Sequence, residues 1–239
     1  MPHEPMDDRQ VAAYLHMDQR EVHKLASRGK LPCRRVGGRF IFTKSEIDHW
    51  AFERMGGMKH DELARLERGV SLHHGFDHQR LIVNELIPTD GLAVPLGAKT
   101  RESVLRGLLD VAEMNEMVYV RDELLAEIKD RETLCSTAIA PGVALPHPRH
   151  PLPYDIAESF VVVGLTPGGI PFGAEDGGLT RLFFLICCKD DRTHLHVLAR
   201  LARMLSDNDA LESFLQAETP DELGRLLLLR EQACLDSPH

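Results

Sequence analysis

Arg131-Glu132-Thr133-Leu134-Cys135-Ser136-Thr137-Ala138-Ile139-Ala140-Pro141-Gly142-Val143-Ala144-Leu145-Pro146-His147-Pro148-Arg149-His150-Pro151-Leu152-Pro153 is the stretch on which the reading of this chain turns. The apolar run Gly142 to Leu145 has the length of a buried strand, and it ends in a histidine enclosed by two prolines. Proline fixes its own φ and restrains the residue before it, so the imidazole of His147 is presented rigidly at a strand end. Neutral imidazole is a good nucleophile near pH 7 and can hold a transferable phosphoryl group when its other ring nitrogen is fixed by a hydrogen bond. That chemistry needs cations and donors around the moving oxygens. Arg131, Ser136, Thr137, Arg149 and a second histidine, His194 or His196, are the candidates. A metal site at His147, His150, His194 and His196 is disfavoured. On one helix His194 and His196 point about 200° apart, and no acidic or cysteine ligand is spaced suitably beside His147. No metal and no cofactor is expected.

Outward from this stretch, helices alternate with strands. Thr100 to Met114 (Val104, Leu105, Leu108, Leu109, Ala112) and Asp122 to Glu132 (Leu124, Leu125, Ile128) carry apolar residues at helical spacing, as do Leu195, Leu198, Ala202 and Leu205. Ser159 to Leu165 and Leu182 to Cys188 are continuous apolar runs of strand length. Thr219-Pro220-Asp221-Glu222 reads as the capped start of a last helix, with proline in the first helical position. The expected class is α/β, a mixed β-sheet flanked by helices, over residues 81–232.

The amino end differs. Val11, Ala12 and Leu15 predict one short helix. Met17 and Asp18 open a second whose apolar side is Val22, Leu25 and Ala26. Gly29 and Pro32 stop it, and Cys33 to Phe42 reads as two strands around Gly37-Gly38. Thr43-Lys44-Ser45-Glu46 is a capping box before Ile47, Trp50 and Ala51. Residues 1–54 thus form a small winged helix-turn-helix domain, and 55–80, rich in Gly, His and charge, form a linker.

The net charge of −9 excludes a generally basic, nucleic-acid-coating protein. The average conceals an asymmetry, because residues 1–60 carry 11 basic and 8 acidic side chains. Eight of those basic residues lie between Asp18 and Lys44. The second helix would present Gln19, Arg20, His23, Lys24 and Ser27 to a major groove, while Arg34, Arg35 and Arg39 on the hairpin hold the adjacent phosphates. One such module makes few phosphate contacts, so a homodimer or neighbouring molecules would be needed for useful affinity on double-stranded DNA. The start lacks the pattern of an export signal, and the longest apolar runs are far short of the roughly 20 residues of a membrane span. Five cysteines at unrelated spacings fit a reduced, cytoplasmic protein.

Two resemblances sharpen these expectations. The run from Val11 to Trp50, with its Arg28-Gly29-Lys30-Leu31-Pro32 turn and Val36-Gly37-Gly38-Arg39 wing, resembles the excisionase and MerR-type winged helix-turn-helix, which implies double-stranded DNA binding. From about Leu81 to Leu229 the chain resembles the mannitol/fructose and nitrogen-regulatory type of enzyme IIA of the bacterial phosphoenolpyruvate-dependent phosphotransferase system. The marks are R-E-x-x-x-S-T at Arg131 to Thr137, G-V-A-L-P-H at Gly142 to His147, G-I-P-F-G-A-E-D-G at Gly169 to Gly177, and T-H-L-H-V-L-A-R-L at Thr193 to Leu201. The resemblance implies that His147 is the phosphorylated histidine, His194 the second active-site histidine and Arg131 the phosphate-supporting arginine. It also implies an HPr-type phosphocarrier protein as donor and an enzyme IIB as acceptor. No IIB or membrane IIC pattern is seen, so a transporter by itself is not expected.

The chain departs from the family's pattern in two places. Pro148 stands where the family has glycine, removing an N–H, and Ala138 to Pro141 replace a glycine-rich loop. A slower phosphoacceptor, a changed donor, or a domain that senses its partner by binding alone would each follow. The leading reading is a regulator whose DNA binding answers to phosphorylation of His147. The other readings are a phosphocarrier enzyme IIA component, or an inactive scaffold, whose amino-terminal module docks a protein.

Overall fold

The computed structural model describes residues 5–15, 17–43, 46–47, 50–51, 54, 62–64, 66–67, 79–174 and 176–236. The chain divides into two compact units, with the boundary between Arg80 and Leu81.

In the first unit β1 (Pro5–Met6) leads into α1 (Asp8–Tyr14) and α2 (Gln19–Ser27), followed by β2 (Arg34–Val36) and β3 (Arg39–Thr43). Asp7 and Gln10 close a reciprocal capping box on α1, and the Asp18 carboxylate accepts from the Arg20 N–H to start α2. The expected hairpin forms with Arg35 opposite Phe40. Its turn needs positive φ at both Gly37 and Gly38, which only glycine adopts without cost. β1 is an addition that two residues are too few to signal, and it pairs with β3 to make a sheet of order β1-β3-β2. Val11, Leu15, Val22, Leu31, Phe42 and Ile47 are buried and form the core. Trp50, in a helical segment with Glu46, Ile47 and Ala51, donates its indole N–H to the Lys30 carbonyl at 2.6 Å. Lys44 and Ser45 of the expected capping box lie outside the described residues, as does most of 55–80. Glu62, Leu63 and Ala64 there are helical, with Leu63 buried.

The second unit runs α3 (Ile82–Glu85), β4 (Leu92–Ala93), α4 (Arg101–Met114), α5 (Arg121–Leu134), β5 (Ala138–Ala140), β6 (Val143–Ala144), β7 (Phe160–Ile170), β8 (Thr180–Cys187), α6 (Asp191–Leu205), α7 (Asn208–Gln216) and α8 (Pro220–Asp236). The five-stranded sheet has order β4-β7-β8-β6-β5, in which β4 on β7 and β6 on β8 are parallel and the other pairs antiparallel. β7 and β8 are buried on both faces, which explains why they read as unbroken apolar runs. α4 and α5 pack Val104, Leu105, Leu108, Leu124 and Ile128 on the face bearing Phe160, Val162, Phe183 and Leu185. α6 and α7 contact β8 as well, and α8 contacts β4. Thr219 accepts from the Glu222 N–H at the start of α8.

Burial pushes the thiols of Cys187 and Cys188 well up, so both stay protonated and unreactive. No helix among the described residues is long and apolar enough to cross a membrane.

Candidate functional site

His147 stands where the chain leaves β6 and continues alongside β8. Val143 and Ala144 pair with Leu182 and Phe183, Leu145 donates its N–H to the Thr137 carbonyl at 3.0 Å, and the Pro146 carbonyl accepts from Ile186 at 2.9 Å. The ring is 5% exposed. Its Nδ1 lies 2.7 Å from the Leu145 carbonyl oxygen, and its Nε2 lies 3.2 Å from Nε of Arg131. A carbonyl can only accept and a guanidinium can only donate, so both bonds are satisfied by one state, the neutral ring protonated on Nδ1. The lone pair of the ring is therefore on Nε2.

The last turn of α5 delivers Arg131. Its side chain is buried, and Nη1 donates to the Cys135 carbonyl at 2.9 Å, which holds the guanidinium while Nε faces the imidazole. The first turn of α6, capped by Asp190 accepting from the Thr193 N–H, brings His194 half-buried against His147, with ring centroids 4.9 Å apart. His196, two residues on, is fully buried. The two histidines of the H-x-H pair thus face different surroundings, as their helical spacing requires.

Of the other expected phosphoryl supporters, Ser136 and Thr137 have hydrogen-bond partners of their own and Arg149 stands at the surface. The Ser136 hydroxyl donates to the Phe172 carbonyl at 3.1 Å, which also receives Arg101 Nη2. Thr137 is fully buried and gives both its N–H and its hydroxyl to Glu132 Oε1. Arg149 is exposed. Ala138 to Ala140, expected as loop, form β5 because Gly142 takes a positive φ and turns the chain back onto β6. Glu132 is the contribution that sequence reasoning missed. It is 4% exposed, and its Oε2 has no hydrogen-bond partner among the described residues. Desolvation pushes its carboxyl above the ordinary range, opposed by the Thr137 bonds and the charges of Arg101 and Arg131. The only trace of it in the sequence was its place in the R-E-x-x-x-S-T mark. No group of three or more metal-ligating side chains is found among the described residues.

In the first unit Gln19, Arg20, His23, Lys24 and Ser27 on α2, and Arg34, Arg35 and Arg39 on the hairpin, are all exposed. A groove of about 580 Å³ runs along α2 between Asp18, Arg20, Lys24, Arg28 and Lys30. His23 differs from the rest, because its Nδ1 is 3.5 Å from the Asp8 carboxylate and its ring meets Phe40 edge-on at 5.1 Å. The Arg35 guanidinium lies 5.5 Å over the same Phe40. Through these contacts Phe40 ties the second helix to the wing.

Comparison with known proteins agrees with both halves. The profile of a helix-turn-helix domain matches residues 6–55, and that of the phosphoenolpyruvate-dependent sugar phosphotransferase system, EIIA 2, matches residues 85–229. The fructose-specific EIIA component of Haloferax volcanii is 27% identical over 61% of this chain and 94% of its own length. The fructose-specific EIIABC component of Bacillus subtilis is 26% identical, and the match spans only 22% of that longer protein. Among solved structures, nitrogen regulatory protein IIA-Ntr from Neisseria meningitidis superposes with a TM-score of 0.55 at 23% identity, covering 61% of this chain and 99% of that one, a likeness of fold. With a profile that runs from the end of α3 into α8, through more than half of its residues, the chain belongs to the phosphotransferase system EIIA 2 family and carries a helix-turn-helix domain ahead of that fold.

Proposed function

We propose that this chain is a cytoplasmic, phosphotransferase-linked regulator that takes a phosphoryl group on His147 and binds double-stranded DNA through an excisionase-like winged helix-turn-helix. The observation that carries the first half is the state of the His147 ring, with Nδ1–H engaged by Leu145, the Nε2 lone pair facing Arg131 and the ring of His194 packed against it. The donor is a phosphohistidine on an HPr-type carrier. Nε2 attacks the phosphorus, the new N–P bond forms as the donor's breaks, and the electron pair of the broken bond returns to the donor ring. The Nδ1 proton stays on the ring throughout, held by the Leu145 carbonyl. Arg131 passes its Nε–H from the ring nitrogen to a phosphoryl oxygen while Nη1 keeps its hold on Cys135, and His194 meets a second oxygen. An enzyme IIB is the acceptor that family membership suggests.

The DNA half is supported by the exposed cationic side chains on α2 and the wing. Phosphorylation adds about −2 charge to the EIIA unit, and that change is what alters DNA binding or dimerisation.

The test is intact mass of the full chain after incubation with phosphoenolpyruvate, enzyme I and HPr. One acid-labile phosphoryl adduct is expected on the wild type and none on His147→Ala. A wild type that stays unmodified beside an active control would leave a domain that senses its partner by binding alone, the role that Pro148 would suit. Fluorescence anisotropy on DNA tests the coupling, which fails if the phosphorylated and unphosphorylated chains bind with the same affinity. In the same assay Arg35→Ala is expected to weaken binding to all sequences alike and to lower the slope of log K against log salt by about one. An unchanged slope would remove the wing from the interface.

A further inference from the structure

We propose that Glu132 is a positioning residue for the phosphoryl-accepting histidine, acting on the ring nitrogen opposite the one that Arg131 faces. This rests on the reading of His147 as phosphoacceptor. Glu132 Oε1 accepts both the N–H of Thr137, at 3.1 Å, and its hydroxyl. The Thr137 carbonyl accepts from the Leu145 N–H at 3.0 Å. The Leu145 carbonyl holds His147 Nδ1 at 2.7 Å. Consecutive residues of α5 thus reach the two nitrogens of one imidazole, Arg131 directly and Glu132 through the backbone of the residue that precedes β5 and of the one that follows β6.

Every member of that relay is buried. Glu132 is 4% exposed, Thr137 and Leu145 are 0%, and His147 is 5%. Water is therefore not at hand to replace a missing bond, and hydrogen bonds in series polarise one another in such surroundings. The rest of the local structure would hold Thr137 loosely without Glu132. β5 is three residues long, and its register on β6 shifts between Ala138 and Ala140, so the ladder alone does not place the Thr137 carbonyl. A few tenths of an ångström lost there are passed to the Leu145 carbonyl. The Nδ1–H would then lose its fixed acceptor, and the proton would distribute between the two ring nitrogens. A ring protonated on Nε2 has no lone pair to offer the incoming phosphorus.

The test uses the full chain with ¹⁵N-labelled histidine, reading the tautomer of His147 by long-range ¹H–¹⁵N NMR and the rate of phosphoryl uptake from phosphorylated HPr. In the wild type Nε2 is expected to show the shift of an unprotonated nitrogen. Glu132→Leu should mix the tautomers and slow uptake on the order of 10–100-fold. Glu132→Gln, which keeps an oxygen acceptor for Thr137, should restore the wild-type tautomer and most of the rate. An unmixed tautomer in folded Glu132→Leu would overturn the proposal. So would a glutamine variant as defective as the leucine one, since the effect would then belong to charge. Where Glu132→Leu does not fold, Thr137→Val decides in the same two measurements, because it removes the hydroxyl and keeps the N–H. It is expected to mix the tautomers to a smaller extent, and no mixing would again overturn the relay. The tautomer is read without phosphorylation, so a wild type that takes up no phosphoryl group would fail the phosphoacceptor reading alone.

Discussion

Glu231→Leu is expected to destabilise the EIIA unit by about 3–5 kcal/mol, the cost of breaking a buried ion pair from one side. Arg200 and Glu231 are both fully buried and meet at 2.9 Å. Glu231 does more than neutralise the arginine. Its Oε1 accepts from the Val83 N–H at 2.9 Å, and its Oε2 accepts from the backbone and side-chain amides of Asn84 at 2.9 and 2.6 Å. One carboxylate on α8 therefore caps α3 and pairs with α6 at the same time. Leucine leaves a buried cation without its carboxylate and buried amides without an acceptor, and each is costly. Arg200→Met should be milder, since Glu231 keeps its amide donors.

Thermal unfolding followed by far-UV circular dichroism measures the effect, expected as a fall in the midpoint on the order of 10 °C. Trp50 is the chain's single tryptophan and lies in the other unit, so its fluorescence reports that unit separately. A midpoint unchanged in Glu231→Leu, or a greater loss in Arg200→Met, would refute the capping role.

Arg131→Lys should slow phosphoryl uptake by His147 on the order of 10²–10³-fold, the usual effect of deleting one preorganised donor to a developing charge. The substitution keeps the positive charge and loses the geometry. Arginine holds the Cys135 carbonyl with Nη1 and faces His147 Nε2 with Nε, two directions from one planar fork. A lysine ammonium is a single point that can meet one of them. Rapid-quench kinetics with phosphorylated HPr provides the measurement, and a rate within a few-fold of wild type would mean that charge alone suffices.

How far each element was legible follows from the range of the signal that encodes it. α4, α5 and α6 carry apolar residues at helical spacing, and caps at Thr100, Asp190 and Thr219 open α4, α6 and α8, all local features. β7 and β8 were visible as apolar runs because both their faces are covered. β1 and β4 have two residues each and pair with the edge of a longer strand, and β5 has three against the two of β6, so no periodicity could announce them.

The same division runs through the site. His147 between its prolines, Arg131 in the last turn of α5 and His194 on α6 stood out by type and motif. Ser136 and Thr137 also stood out, and their hydroxyls are turned to Phe172 and Glu132 instead. His23, expected to face DNA, is exposed, and its ring also meets Asp8 and Phe40, contacts that its type does not announce. A residue's type announces that it can donate or accept, and only packing decides which partner wins.

By itself the sequence determined the two-part organisation, the elements with strong periodicity and the chemical kinds gathered near His147, because composition, caps and spacing act over a few residues. Tertiary structure alone decided which nitrogen of His147 carries the proton, that Glu132 reaches it through Thr137 and Leu145, and that Glu231 caps a helix some 150 residues away in the chain (148 and 147 separations). Those are long-range hydrogen bonds made in the absence of water, and their partners are chosen by how the sheet and helices pack.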